Sequence, residues 1–361
     1  MKAFLLFLLF PCLVACSSSD SPSDPTPQEP PAEAMYFPPL NSDLWETKSI
    51  EDLEWNADQV QPLLNYLEDK NTKSFMVIVN GRIVMENYFD GHEANSNWYW
   101  ASAGKTLTSA MVGIAEQQGE LLIDAKVSDY IGTGWTSMPL AKENLITNRH
   151  LLTMTSGISD ADPVECVIPG CLTYEADAGT RWAYHNVYVK LQDVVAGATE
   201  QTFAEYFNTN LRDKIGMNGS WITSGVSEVY WSTTRSMARF GLLMLNNGKW
   251  QDQEIVDAGF VMNATKTSQF LNKSYGYLWW INGEESYRLP QTQFQFSGSL
   301  IPSAPADMYM ALGKNDQKIY VVPSLKMVVI RMGNAADDES PALSGFDNEL
   351  WEKIVAVYMH E

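Results

Sequence analysis

Ser102-Ala103-Gly104-Lys105-Thr106-Leu107-Thr108-Ser109-Ala110-Met111-Val112-Gly113-Ile114-Ala115 carries a single charge, on Lys105, and the flanking charged residues are as far away as Glu93 and Glu116. Leu107, Ala110, Met111, Ile114 and Ala115 recur at helical spacing, which predicts a helix from near Ser102 with one buried face. The opposite face, Thr106, Ser109 and Gly113, is small and uncharged, as suits a helix packed on both sides. A lysine in such a helix is desolvated, and desolvation disfavours the ammonium. Residues three apart lie one turn from each other, so the amine reaches the Ser102 hydroxyl. A hydroxyl beside a neutral amine, at a helix start whose free N–H groups can hold an oxyanion, is an activated nucleophile. The serine–lysine spacing alone is a weak signal; its position on the most charge-depleted helix strengthens it.

The N-terminus reads as a lipoprotein signal. Lys2 precedes the apolar run Phe4 to Leu9, and Leu13-Val14-Ala15-Cys16 forms a lipobox whose cysteine would be acylated. The apolar run is too short to span a bilayer. The stretch from Ser17 to about Leu40 is rich in serine and proline, from Pro22 to Pro39, and predicts an extended tether. The expected organisation is a signal peptide over 1–15, a lipid-anchored tether over 16–45 and one large domain over 46–361. The protein is then an exported bacterial lipoprotein, periplasm-facing or outer-membrane anchored, whose membrane contact is the lipid.

The remaining roughly 320 residues suffice for a full hydrophobic core. A net charge of −20 argues against nucleic acid and against an anionic membrane face as partners. Once Cys12 leaves with the signal and Cys16 takes lipid, Cys166 and Cys171 remain, and an oxidising compartment favours a disulfide between them. No metal or cofactor site is expected, since no histidine lies near that cysteine pair.

Further elements follow from local signals. Ala57 to Lys70 reads as an amphipathic helix. Ser74–Val79 and Arg82–Phe89 read as strands joined by Asn80-Gly81, a two-residue hairpin turn. From Leu121 to about Thr265 the signals are mostly helical. Strands return at Tyr275–Ile281, Met308–Leu312, Lys318–Val322 and Met327–Met332, before a closing helix from Gly345 to Tyr358. This order predicts an α+β fold: one antiparallel sheet (about 46–100 and 270–361) beside a helical region (about 101–269). The cleft between them is the expected site.

A second motif lies in Gly179-Thr180-Arg181-Trp182-Ala183-Tyr184-His185-Asn186. Tyr184 and Asn186, two apart ahead of a helix, can face one cleft. A phenol beside a lysine can relay a proton, and an amide can orient a carbonyl or hold the amine. With Ser102-x-x-Lys105, the segment Arg149 to Ile158, and the later stretches Ser232–Gly241 and Tyr275–Trp280, the chain resembles the serine β-lactamase/DD-peptidase superfamily. Within it, class C β-lactamases, related carboxylesterases and 6-aminohexanoate-dimer hydrolases are the most similar. The resemblance implies a β-lactamase/transpeptidase-like fold and an acyl-serine mechanism. In it Ser102 is the nucleophile, Lys105 helps take its proton, Tyr184 is the acid/base near the leaving group, and Asn186 bonds the substrate or the lysine. The choice of acylation base is disputed in this superfamily. The oxyanion donors it implies are the N–H groups of Ser102 and of Lys314, just after Gly313.

One departure bears on substrate. The superfamily's Lys- or His-Thr-Gly motif is absent; if Gly313 takes its glycine position, Ala311 and Leu312 stand where the cation and hydroxyl would be. Ala311 to Gln317 resembles the Ala-x-Gly-x-x-Gly-Gln of the 6-aminohexanoate branch, with Asp316 in place of the second glycine. That favours a small-molecule or peptide-like ester or amide over β-lactams and D-Ala-D-Ala peptides. The competing readings are a β-lactamase or DD-peptidase, a non-catalytic penicillin- or glycan-binding lipoprotein of the same fold, and a Ser-His-Asp hydrolase. The last is disfavoured because no Gly-x-Ser-x-Gly elbow accompanies His92, His150, His185 or His360.

Overall fold

The computed structural model describes residues 33–161, 166–224, 227–337 and 343–359. The expected signal peptide, the lipobox with Cys16 and the tether up to residue 32 lie outside the described residues. The tether assigned to 16–45 needs correction at its C-terminal end, because residues from Met35 onward belong to the folded body. Tyr36 N–H donates to Asn80 O at 3.1 Å, and Phe37 packs edge-on against Trp250 at 5.1 Å. The Arg239 guanidinium donates to Ile215 O at 2.9 Å and Pro39 O at 2.8 Å. These contacts make residues 35–45 part of the surface layer.

A helix, α1 (Val60–Asp69), buries Leu63 and Leu67 and leads into β1 (Thr72–Val79) and β2 (Arg82–Tyr88). Asn80 and Gly81 join these strands with φ of 48° and 84°, the left-handed pair that a tight hairpin needs. A two-residue strand, β3 (Trp98–Tyr99), precedes the 3-10 turn Ala101–Gly104 and α2 (Lys105–Gln117). The charge-free stretch thus forms a turn followed by a helix. Every residue of α2 from Lys105 to Ala115 is buried, as expected for a helix covered on both sides.

The helical region comprises α3 (Ser128–Ile131), α4 (Leu140–Glu143), α5 (Asn148–Leu152), α6 (Lys190–Thr199) and α7 (Phe203–Phe207). Within the stretch read as helical, the structure places a hairpin instead, β4 (Ser220–Ser224) with β5 (Ser227–Ser232), and β5 also pairs with β3. Next come α8 (Thr234–Leu245), a short ribbon of β6 (Lys249–Trp250) and β7 (Gln253–Glu254), and α9 (Ala258–Ala264).

The strand expected over Tyr275–Ile281 shrinks to β8 (Trp280–Ile281). The preceding loop is pinned: Leu278 takes φ 63°, and a β-carbon on Gly276 would meet Ala264 O at 2.0 Å. A small hairpin of β9 (Ser286–Tyr287) and β10 (Phe296–Ser297) follows, then β11 (Tyr309–Gly313), β12 (Gln317–Val322), β13 (Met327–Gly333) and α10 (Gly345–Tyr358). The main sheet is antiparallel with order β2-β1-β13-β12-β11-β8.

Neighbouring side chains of a strand point to opposite faces, and β12 shows what covers each face. A β-carbon on Gly241 of α8 would lie 3.2 Å from Ile319. On the other face Tyr320 packs on Trp351 of α10 at 5.5 Å and donates to Asp347 at 2.6 Å. Lys318, also on that face and fully buried, pairs with Asp347 at 2.8 Å and Asp316 at 3.2 Å. β8 pairs with β11 at Tyr309 and Met310. Ala311 to Gly313 run on beside the Ala101–Gly104 turn, and this contact between sheet end and turn places the site.

Candidate active site

Ala101 takes φ 47°, a left-handed conformation unusual outside glycine, and it tightens the 3-10 turn that presents Ser102. Trp100, fully buried just before it, is fixed by an indole N–H to Ser232 Oγ bond of 2.7 Å. Lys105 Nζ donates to Ser102 Oγ at 2.7 Å. Lys105 is 2 % exposed, and it forms no ion pair with a carboxylate among the described residues. Burial brings its pKa down to about 7, because no opposite charge offsets the lost hydration.

Tyr184 comes from the second motif and packs against the same amine, which sits 4.8 Å from its ring centroid. Burial pushes the phenol up to about 12, partly offset by nearby Ser102 and Trp280. Ser102 thus has Lys105 at hydrogen-bond distance, with the Tyr184 ring against the same amine. Behind Tyr184 stand Trp182, Tyr275 and Trp280, with ring centroids 5.6 to 6.2 Å from it. Such a wall keeps water from the amine and holds the phenol by edge and face contacts.

Asn186, half-buried, opens the 3-10 turn Asn186–Val189, and His185 caps it by accepting from Val187 N–H at 3.1 Å. That histidine is held near pKa 4, mainly by burial, and serves the turn. His150 accepts from Thr147 N–H at 3.1 Å inside a capping box. The second Tyr-x-Asn segment is packing, with Tyr206 bonded to Gln118 at 2.7 Å.

Gly313 ends β11 against the turn that carries Ser102. A β-carbon there would stand 2.4 Å from Trp100 O and 3.0 Å from Ala103 N, so the approach needs glycine. Ala311 and Leu312 are buried at 1 % each, and neither supplies a cation or hydroxyl. Lys314 follows with its side chain exposed and forms no ion pair among the described residues. Asn315 and Asp316 both take φ 59°; the aspartate thus adopts the left-handed conformation that a glycine would take there. Its carboxylate accepts from Ala336 N–H at 3.0 Å and Ser344 Oγ at 3.3 Å. Gln317 ties the turn back, donating to Asn315 O at 2.8 Å and Gly333 O at 2.6 Å. The Sγ atoms of Cys166 and Cys171 are joined, with Cα atoms 6.1 Å apart.

The sequence motifs did not single out Tyr188. It lies four residues after Tyr184 and its ring faces Lys105 Nζ at 4.5 Å. The spacing that puts both rings on one amine arises from the cap at His185, which no motif announces. The clustering of Trp182, Tyr275 and Trp280 was likewise hidden, although each lies in a stretch the resemblance had marked.

An antiparallel sheet flanked by helices, with a Ser-x-x-Lys turn at its end and a tyrosine facing the amine, defines the serine β-lactamase/transpeptidase class. The chain belongs to the beta-lactamase family, whose model matches residues 67–349, and it is a hydrolase of that superfamily. A comparison with curated proteins gives no match. Among solved structures, it is similar to a Bacillus anthracis protein named as a 6-aminohexanoate-dimer hydrolase, at TM-score 0.67 and 20% identity, covering 89% of each chain. A penicillin-binding protein from Bacillus halodurans gives TM-score 0.62 at 15% identity, over 81% of this chain and 99% of that one. A class C β-lactamase with a tyrosine-to-phenylalanine change gives 0.60 at 16%, over 84% and 97%. At these identities the likeness is one of fold.

Proposed function

We propose that the protein is an acyl-enzyme-forming serine hydrolase that cleaves a small ester or amide. The observation that carries this reading is the 2.7 Å approach to Ser102 Oγ of a buried lysine amine that forms no ion pair among the described residues. A neutral amine can present its lone pair at the same distance. As the Ser102 O–H bond breaks, its proton passes to Nζ and the Oγ electron pair attacks the substrate carbonyl carbon. The resulting oxyanion is held by the N–H groups of Ser102 and Lys314. Collapse breaks the bond to the leaving group, which takes a proton by way of Tyr184. Asn186 orients the substrate carbonyl or the amine. Water then attacks the acyl-Ser102 ester, releasing the acid and restoring the hydroxyl.

The preference for esters or amides over β-lactams is supported by the buried, apolar Ala311 and Leu312 beside Gly313. A β-lactamase or DD-peptidase activity is the reading to test against it. The lipobox at Leu13 to Cys16 supports export and lipid anchoring, with Ser17 to residue 34 as the tether. Phase partitioning of wild type and Cys16→Ser into detergent tests the anchor.

The acyl-enzyme is tested by intact-mass spectrometry after treatment with a fluorophosphonate. Wild type should gain one adduct at Ser102 and Ser102→Ala none; equal labelling of both would overturn the assignment.

A further inference from the structure

Lys105 Nζ lies over two aromatic faces, 4.8 Å from the Tyr184 centroid and 4.5 Å from that of Tyr188. Both tyrosines come from one segment. His185, extended at φ −152°, accepts from Val187 N–H and starts the 3-10 turn that swings Tyr188 back to the amine. Tyr188 is 7 % exposed and Lys105 2 %, so the ring acts on the amine in a dry environment.

The titratable groups around the amine are few. Tyr184, His185 and Tyr188 come from this segment, Tyr275 stands behind the two tyrosines, and the Arg181–Asp160 pair, joined at 2.7 Å, acts on His185. From α6, Gln192 reaches Thr108 on α2, while Lys190 and Asp193 pair with each other at 2.9 Å. From α9, Phe260 lies against Gly113. The sheet end contributes Gly313 to the neighbouring turn. A proton arriving on Nζ therefore meets two ring faces and Ser102 Oγ. The negative face of an aromatic ring stabilises an ammonium, most strongly where water is excluded.

We infer that Tyr188 is a positioning residue that holds the Lys105 amine against Ser102 and, through its ring face, sets the pH at which the amine takes the serine proton. The inference rests on the proposed role of Lys105 in acylation. When the Ser102 O–H bond breaks and Nζ gains the proton, positive charge appears against both rings. The Tyr188 ring then helps stabilise the state that acylation has to reach. The phenol oxygen of Tyr188 is not needed for this; the ring is.

The test compares wild type with Tyr188→Phe, Tyr188→Leu and Tyr188→Met by the pH dependence of fluorophosphonate labelling at Ser102, with thermal unfolding alongside. Tyr188→Phe keeps the ring and leaves the acid limb in place. Removing the ring makes the ammonium less stable and moves the acid limb to lower pH by roughly 0.4–1.5 units. The plateau rate falls as well, because a less basic amine takes the proton less readily. The methionine variant, unbranched and flexible, gives the same reading if leucine does not fold. Coincident acid limbs in the ring-keeping and ring-less variants, with only the unfolding temperature changed, would reduce Tyr188 to a packing residue and overturn the inference. A wild type that does not label at Ser102 brings down the acyl-enzyme reading and this inference together; a labelled wild type with coincident limbs removes only the role of Tyr188.

Discussion

Gly313 and Trp100 meet through backbone alone: a β-carbon at position 313 would lie 2.4 Å from the Trp100 carbonyl oxygen and 3.0 Å from Ala103 N. The obstructing atoms belong to the turn that carries Ser102, and backbone cannot rotate away as a flexible side chain would. Gly313→Ala therefore pushes the end of β11 and this turn apart. A shift approaching 1 Å costs about 100-fold in turnover, while overpacking costs about 1–3 kcal/mol of stability. Steady-state kinetics with p-nitrophenyl butyrate, together with thermal unfolding, should show activity falling far more than stability. Turnover near the wild-type rate would mean that the two elements need not stay in contact.

Lys105→Arg keeps a positive charge and removes the proposed base. A guanidinium is not deprotonated in proteins, and its planar fork is too large for a site in which the lysine is 2 % exposed. Turnover should drop by at least about 100-fold, the low end of general acid–base contributions. A variant keeping half the wild-type rate would show that only the charge matters.

The buried amine also fixes a pH dependence. With Lys105 near 7, kcat/KM should rise with pH and level off above about 7, where the amine is neutral. Below that value the rate falls as the proton occupies the lone pair. Stability follows the same group. Between about 7 and the unfolded value of about 10.4 the unfolded chain binds the extra proton, so this group makes the folded state gain stability as pH rises through that window. Lys105→Met should remove that contribution. Urea unfolding at pH 7 and pH 9 checks the sign: the variant's stability advantage over wild type should be larger at pH 7.

On the α10 side of the sheet, Asp347 accepts from Lys318, from Tyr320 at 2.6 Å and from Ser344 N–H at 3.0 Å. It thus joins α10 to the strand that follows the Gly313 turn. Asp347→Leu removes the nearer carboxylate from Lys318, which keeps Asp316 at 3.2 Å, so the cost should stay below the about 3–5 kcal/mol of a fully uncompensated buried charge. Lys318→Met with Asp347→Leu should recover part of it, the remainder reflecting Asp316 without its lysine and the lost bonds to Tyr320 and Ser344. A double variant as unstable as the single would show that the bonds to Tyr320 and Ser344 dominate.

The parts of this architecture readable from sequence are those written in local pattern. Asn80-Gly81 specified a hairpin by its backbone demands, and the charge-free run around Lys105 specified a doubly covered helix. The β4–β5 hairpin was missed because its strands are short and lie between strong helical patterns; its order comes from pairing with Trp98 and Tyr99, far away in the chain. The stretch Tyr275–Ile281 looked like a strand because it is aromatic, yet those rings are buried by neighbours on several elements, and Leu278 bends the backbone out of the sheet. The Ser102–Lys105 pair was visible because both residues lie on one turn. Tyr188 was not, because its approach to Lys105 depends on how a capped turn folds back on another helix.

The proposed substrate preference rests on what stands beside Gly313. A substrate carboxylate bound there would seek a cation and a hydroxyl, and Ala311 and Leu312 offer neither. One missing charge-assisted hydrogen bond is worth about 1.5–3 kcal/mol, or roughly one to two orders of magnitude in rate. The net charge of −20 gives anionic substrates no general attraction to compensate. Hydrolysis of p-nitrophenyl acetate or butyrate should therefore exceed that of nitrocefin in kcat/KM. Two cations could reverse the result: Lys314, exposed on the turn, and Arg288, whose Nη1 donates to Gln293 Oε1 at 2.8 Å while Gln293 donates to Trp182 O at 2.8 Å. If nitrocefin wins by more than about tenfold, which corresponds to about 1.4 kcal/mol, one of these must bind the carboxylate. Lys314→Ala and Arg288→Ala then identify which, by the selective loss of nitrocefin turnover with ester turnover retained.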